Sequence, residues 1–347
     1  MKSARFGLAL IGALAVAACG DGRSSLPDST FSPATSASSP GLHLDAELYV
    51  ASASPYFFNA YRLPLSGSAD PIAHETEVSE PVPLANDFRH LYVGSFNDGV
   101  IYTFSLPLSD NGFRGSSPRG RFVTPFARQK RRVPRCGSLR RAFCAGVGDP
   151  SGLAVADKYL YVAGDGTSGN EVLQYALPLR RPQVPSGSVT GFSQIDFLSI
   201  AAENGTLYVA STTAGTVGAY SLPLTPNQSA EYTIDTARQY DGATGVAVDR
   251  RCHHLYVSLY ALGQIYDYKL PYRPSEPPTI LQVDPYVGPY GIAVGDDHLF
   301  VTDDTAGGVE AFPLPLTSMS IPDAIVPFAG FGAGVTIRSR YSSRPCR

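Results

Sequence analysis

Six copies of one phrase, repeated with a period mostly in the forties, constrain this chain more than any other feature. The clearest copy runs Leu207-Tyr-Val-Ala-Ser-Thr-Thr-Ala-Gly-Thr-Val-Gly-Ala-Tyr-Ser-Leu-Pro-Leu224, and the others start at Leu48, Leu91, Leu160, Leu255 and Leu299. Each reads Leu-Tyr/Phe-Val, a small polar loop, an aromatic residue and then Leu-Pro. The first Leu and the Leu of Leu-Pro lie 15 residues apart in five copies and 17 in the third. Successive copies start 43, 69, 47, 48 and 44 residues apart. A fixed period of this length marks a repeat architecture whose units bury their apolar faces against one another.

Each unit reads as four short strands. Strand A is the phrase Gly152-Leu-Ala-Val, Gly245-Val-Ala-Val or Gly291-Ile-Ala-Val, with Leu198-Ser-Ile-Ala a weaker copy. Strand B is Leu-Tyr-Val, strand C carries the aromatic residue and ends at Leu-Pro, and strand D is an outer segment such as Glu231-Tyr-Thr-Ile, Ile280-Leu-Gln-Val or Ala324-Ile-Val-Pro. Turn residues such as Asp157-Lys158 and Asp296-Asp297 separate A from B. Four strands per repeat of about 45 residues predict an all-β, six-bladed β-propeller of four-stranded antiparallel blades. Continuous apolar runs suit strands buried on both faces, and a Pro that cannot donate to a ladder marks where strand C leaves its sheet. Tyr61, Phe104, Tyr175, Tyr220, Tyr268 and Phe312, one per unit at one position, are expected to form inter-blade core. Gly334-Val-Thr-Ile337 and Leu42-His-Leu44 compete for the slot that closes the ring.

One interval is long. Forty-four positions separate Leu108 from Gly152, against 18 to 21 in the other units. Matching Pro125-Phe-Ala to Pro327-Phe-Ala places strand D of blade two there and leaves about 20 extra residues at 128–147 in the connection to blade three. Arg128, Lys130, Arg131, Arg132, Arg135, Arg140 and Arg141 make this insertion strongly basic, with no acid before Asp149. Arginine forks suit phosphate or carboxylate, so an anionic or protein partner on the loop-bearing rim is expected. A solvated charge run without a ligand is the competing reading.

The N-terminus reads as an address. Lys2 and Arg5 precede an apolar stretch from Phe6 to Val16, too short for a mature membrane span. Val16-Ala17-Ala18-Cys19 resembles a bacterial lipobox. That resemblance implies a signal peptide over 1–18, a lipidated Cys19 and, with Gly20 following, anchoring at the outer membrane on its periplasmic face or at the cell surface. Residues 20–41, rich in Ser, Pro and Thr, form a tether with a root-mean-square reach of roughly 25 Å. The propeller then occupies 42–338 and a tail 339–347. With 27 basic and 30 acidic residues, bulk charge favours no nucleic acid, and a monomer is expected.

The stretch from Gly291-Ile-Ala-Val through Leu299-Phe-Val-Thr-Asp-Asp-Thr-Ala-Gly-Gly-Val-Glu-Ala-Phe312 resembles NHL and YVTN-type propeller repeats, within the lactonase-like and gluconolactonase-like superfamily. The resemblance covers nearly all of 42–338. It implies, as one possible activity, a hydrolase holding a divalent cation such as calcium on Glu, Asn and Asp near the channel. Asn97, Asp98, Asp165, Asn170, Asp303 and Asp304 gather in the B–C loops, and Asp149, Asp241 and Asp284 stand ahead of strand A. Of these, Asp303, Asp304 and Asp165 are the candidate catalytic carboxylates, since converging carboxylates suit a hard cation or acid–base work. The chain departs from the pattern in lacking a recognisable Glu at the head of an inner strand and a matching Asn pair. Turn formation explains the same residues.

His90, His254 and His298 share one slot before strand B, on A–B turns and in blades that are not all adjacent, so they read as turn residues rather than a metal set. Four cysteines remain beside Cys19. Of the three possible pairings, Cys136–Cys144 with Cys252–Cys346 is preferred. No Gly-x-Ser-x-Gly elbow and no phosphate-cradling Gly-Lys-Ser/Thr loop is present. The reading is a lipid-anchored, non-catalytic binding scaffold without a cofactor or metal. The alternative is a metal-dependent lactonase-like hydrolase.

Overall fold

The computed structural model describes residues 46–338 except 77, 109–119, 124–141, 144–148, 167–168, 181–182, 194–195, 237–241, 250, 284–287, 306 and 329. For 120–123 and 142–143 it describes the backbone alone. Six antiparallel sheets form six blades, each ordered A, B, C, D. Blade two is Pro81–Asn86, His90–Ser95, Val100–Ser105 and Gly120–Val123. Blade three is Pro150–Ala156, Tyr159–Asp165, Asn170–Ala176 and Gly187–Val189. Blade four is Leu198–Glu203, Thr206–Ser211, Thr216–Ser221 and Tyr232–Asp235. Blade five is Ala243–Asp249, His254–Leu259, Gln264–Lys269 and Thr279–Gln282. Blade six is Pro289–Val294, His298–Asp303, Gly308–Pro313 and Ala324–Pro327.

Blade one joins the two ends of the fold. Its strand A is the C-terminal Gly332–Arg338, followed by Glu47–Ala53, Tyr56–Arg62 and Ala73–Glu75. Leu48 pairs with Ile337 and Val50 with Val335, so the C-terminal candidate takes the closing slot. Each inner strand touches the next around the ring, from blade one through blade six and back.

The Leu-Tyr-Val phrase is explained by this packing. In every strand B the Leu and Val face the preceding blade, while the aromatic residue faces the following one. Leu207 and Val209 pack with Tyr161 and Ala163 of blade three, and Tyr208 packs with Leu255 and Val257 of blade five. Six such clusters result, one per interface, and each holds one rung of the aromatic ladder, from Tyr175 at 0% exposure to Tyr220 at 7%. A fully buried Leu contributes about 1.5–3 kcal/mol.

The Leu-Pro step ends strand C by a repeated bond. The Leu N–H donates back to the residue two before strand B's Leu, as in Leu106 to the Arg89 carbonyl (2.8 Å) and Leu222 to Gly205 (2.7 Å). The Pro that follows has no N–H to continue the ladder. The Gly of the strand-A phrase has a different cause. A Cβ on Gly245, Gly291 or Gly334 would lie 2.3, 2.2 or 1.9 Å from a carbonyl oxygen of the next blade's inner strand, those of Tyr290, Ala333 and Val82. Inner strands approach too closely there for any side chain.

Blade two departs from expectation. Its strand D is Gly120–Val123, not Pro125-Phe-Ala, and Val123 pairs with Val100 where blade six pairs Pro327 with Gly308. The sequence match was therefore offset by two residues. A fifth strand, Ala142–Phe143, pairs in parallel with strand D. Part of the expected insertion thus lines the outer edge of blade two. Its basic residues, Arg128 to Arg141, lie outside the described residues, as do Cys19, Cys136, Cys144 and Cys346. Cys252 is disulfide-bonded, and its partner lies outside them as well.

Replacing Leu207 by Ala is expected to lower unfolding free energy by about 2–5 kcal/mol in urea titrations. Val184→Ala, at a site 82% exposed, should stay within about 0.5 kcal/mol.

Candidate functional site

The six inner strands surround a channel, and one equivalent residue from each closes its waist. Leu84, Leu153, Ile200, Val246, Ile292 and Val335 each pair with the Val of their own strand B. All six line both a cavity of about 70 Å³ towards the B–C loops and one of about 170 Å³ towards the A–B turns. The axle is thus divided by an apolar ring, and chemistry is confined to its two ends.

At the loop end an arc of aromatic rings crosses the mouth. Phe96 lies 6.0 Å from Phe197, Phe197 lies 5.6 Å from Tyr290, and Tyr290 lies 6.3 Å from Tyr260, between ring centroids. They come from the B–C loop of blade two, the approach to blade four, strand A of blade six and the short 3₁₀ turn Tyr260–Leu262 of blade five. Phe197 and Tyr290 line the smaller cavity. Sequence reasoning missed all four: Phe197 and Tyr290 stand beside copies of the strand-A phrase and Phe96 and Tyr260 directly follow strand B, but the other blades carry no aromatic residue at those positions.

Carboxylates border this arc. Glu80 immediately precedes strand A of blade two with φ 44°, and it accepts a hydrogen bond from Asn97 Nδ2. This corrects the expectation that no inner strand has a Glu at its head. Blade two's first strand, Pro81-Val-Pro-Leu, lacks the Gly-x-Ala-Val phrase that would have marked it. Burial pushes the Glu80 carboxyl up from the ordinary range, opposed by the Asn97 bond and assisted by nearby Asp149. Burial also raises Asp304, against a hydrogen bond from Tyr260 and with help from Asp303. Tyr290 is raised by burial and by the charges of Asp304 and Glu80.

The other acidic candidates are engaged locally. Asp303 is 3% exposed and accepts from the N–H groups of Thr305 (2.7 Å) and Gly288 (3.3 Å). Asn170 donates to the Ser193 carbonyl at 3.0 Å, and Asp98 accepts from Ser95 at 3.2 Å. Asp165 ends strand B of blade three, paired with Asn170. Asp241 and Asp284 lie outside the described residues. The arrangement brings Asn97 to Glu80 and Asp304 to Tyr260, but among the described residues no three His, Cys, Asp or Glu side chains converge as a metal set.

The turn end has the opposite character. Every Lys or Arg whose side chain is described lies there: Arg62, Lys269 and Arg338 at strand ends, Arg89, Lys158 and Arg251 in A–B turns, Arg180 and Arg273 after strand C. The three equivalent His residues are also here, each with its own carboxylate. His90 Nδ1 lies 3.1 Å from Asp87, His254 Nδ1 2.6 Å from Asp267, and His298 is held between Asp297 (2.7 Å) and Asp323 (2.9 Å). These pairs are separate: Asp87 and Asp297 belong to A–B turns, whereas Asp267 lies on strand C of blade five and Asp323 just ahead of strand D of blade six. Burial alone would lower His298, but its two hydrogen bonds prevail and push it up to about 9.

No protein-family model and no curated protein sequence matches the chain. Solved structures do. A chain of the nidogen/laminin complex is similar over 86% of this chain and 100% of its own length, at 14% identity and a TM-score of 0.58. The periplasmic gluconolactonase of Pseudomonas aeruginosa is similar over 82% of this chain and 84% of its own, at 14% identity and a TM-score of 0.56. At such identities the likeness shows the β-propeller fold.

His298 gains affinity for its proton on folding, so its stabilisation is present below its ordinary value near 6.5 and lost as pH rises through about 9. The melting-temperature difference between wild type and His298→Gln should be largest below pH 6.5 and vanish above about 9. Asp297 and Asp323 are more than half exposed, which keeps it small.

Proposed function

We propose that the protein is an exported, lipid-anchored β-propeller that acts as a non-catalytic binding scaffold, presenting its loops to a partner. Cys19 carries the lipid, residues 20–41 act as tether, and Arg128, Lys130, Arg131, Arg132, Arg135, Arg140 and Arg141 contact an anionic partner. The observation that carries this reading is the channel. Its loop-end cavity of about 70 Å³ is well below the roughly 300 Å³ at which small-molecule pockets begin, and six apolar side chains close the axle beneath it. A rim is then the larger surface for recognition. A chain of this fold in the nidogen/laminin complex is in keeping with a role in protein assembly.

Electrostatic capture predicts salt sensitivity. The chain lacking its lipid should bind vesicles containing anionic phosphatidylglycerol at low salt and release them at about 0.5 M salt, where the Debye length falls to a few ångströms. Exchange of Arg131, Arg132, Arg140 and Arg141 for Ala should abolish that binding. Unchanged affinity in the variant would refute the role of the insertion.

A second reading, the lactonase-like hydrolase, is favoured by one observation: Glu80 and Asn97 stand together at the mouth, with Asp304 across the aromatic arc. The described residues do not form a complete metal set. Metal content of residues 22–347, purified without chelator and measured by mass spectrometry, separates the readings. The scaffold predicts none, and about one calcium or zinc per chain would favour the hydrolase.

A further inference from the structure

The loop-end mouth combines two features that belong together chemically. The four rings Phe96, Phe197, Tyr260 and Tyr290 form a continuous arc with centroid spacings of 6.0, 5.6 and 6.3 Å. Glu80, ahead of blade two's inner strand, and Asp304, directly after strand B of blade six, flank the two ends of the arc: Asn97, next to Phe96, donates to Glu80, and Tyr260 hydrogen-bonds to Asp304. Among the described residues, every Lys and Arg side chain sits at the other end of the channel. Aromatic faces and carboxylates around one opening attract a soft organic cation, since the ring quadrupole adds to the charge when water is partly excluded.

Two further details define the ligand. Tyr290 and Phe197 line the cavity under the arc, and the Tyr290 hydroxyl makes no hydrogen bond to a described residue. The floor of that cavity is the apolar ring at the waist. A space of about 70 Å³ admits a head group of a few heavy atoms, whereas a sugar ring or nucleotide exceeds it. Its apolar floor and aromatic wall suit methyl or methylene groups, which bare metal ions do not carry.

We propose that the mouth bordered by Glu80, Asp304, Phe96, Phe197, Tyr260 and Tyr290 is a binding site for an alkylammonium group. The group arrives on a free small molecule or on the Lys side chain of a partner; the recognition chemistry is the same. The site is separate from the basic insertion and does not depend on the insertion's role.

The test is isothermal titration of the full chain, purified in non-ionic detergent, with tetramethylammonium, choline, butylammonium and Nα-acetyl-lysine amide. At least one of these should bind saturably with one site per chain. Choline or tetramethylammonium as the tightest probe assigns the source to a free small molecule, and the lysine amide or its mimic butylammonium assigns it to a partner's side chain. Glu80→Gln and Asp304→Asn, with melting curves matching wild type, should each weaken binding about tenfold. Tyr260→Leu, on a turn where the side chain is 39% exposed, should do the same without risk to the core, while Tyr260→Phe should retain most of the affinity. Absence of saturation with all four probes, or unchanged affinity in Glu80→Gln, Asp304→Asn and Tyr260→Leu together, would overturn the proposal.

Discussion

The structure depends on strand B being buried on both faces. Leu and Val of Leu-Tyr-Val pack against one neighbouring blade and the aromatic residue against the other, so no blade can complete its core alone. A ring built this way must close. Closure comes from the C-terminal Gly332–Arg338 pairing with Glu47–Ala53. Side chains reinforce the junction across blades: Asn86 donates to Thr336 (3.0 Å) and to the Ile337 carbonyl (2.9 Å), and Arg338 bridges the Phe88 carbonyl (3.0 Å) and Glu47 (3.3 Å). The C-terminal segment therefore packs Val335 and Ile337 into the core between blades six and one and is hydrogen-bonded to blade two.

Closure also determines where function resides. The inner strands approach closely enough that only Gly fits at Gly245, Gly291 and Gly334, and the next residue on each of the six strands contributes to the apolar ring at the waist. Beyond that ring the two ends diverge. The end with the A–B turns carries the described cations and the His–carboxylate pairs. The B–C loops and D–A connections carry the aromatic arc with Glu80 and Asp304. A chain that folds by six near-identical interfaces has its individuality in the residues that break the repeat, and these cluster at the loop end.

The repeat made most of the fold legible. Strand types, blade count, the aromatic ladder and the exit of strand C at Leu-Pro all follow from residues recurring at fixed intervals, because six copies impose one geometry. The two errors lie where copies diverge. In blade two, Pro-Val-Pro replaces the Gly of the inner-strand phrase, which hid Glu80 at its head. The Pro125-Phe-Ala match displaced strand D, because a local tripeptide was weighed without the register that backbone pairing imposes. The aromatic arc was illegible for a related reason. Phe96 and Tyr260 share one position, directly after strand B in their blades, but the other four blades carry Ala53, Asp165, Thr212 and Asp304 at it, and only the ring geometry brings the pair together with Phe197 and Tyr290. Each of the three His residues opens strand B, one step beyond the turn where the sequence placed it, and their carboxylate partners, Asp87, Asp267 and Asp323, come from different positions in each blade.

Hydrogen exchange at the ring junction tests the central claim, that pairing of the two chain ends closes the propeller. Amides of Glu47–Ala53 and Gly332–Arg338 that bond across the junction should exchange as slowly as those of Thr206–Ser211 in blade four, which sits inside the chain and needs no closure. Rapid exchange at the junction, with blade four protected, would contradict the closed ring and leave blade one's inner strand without a structural role.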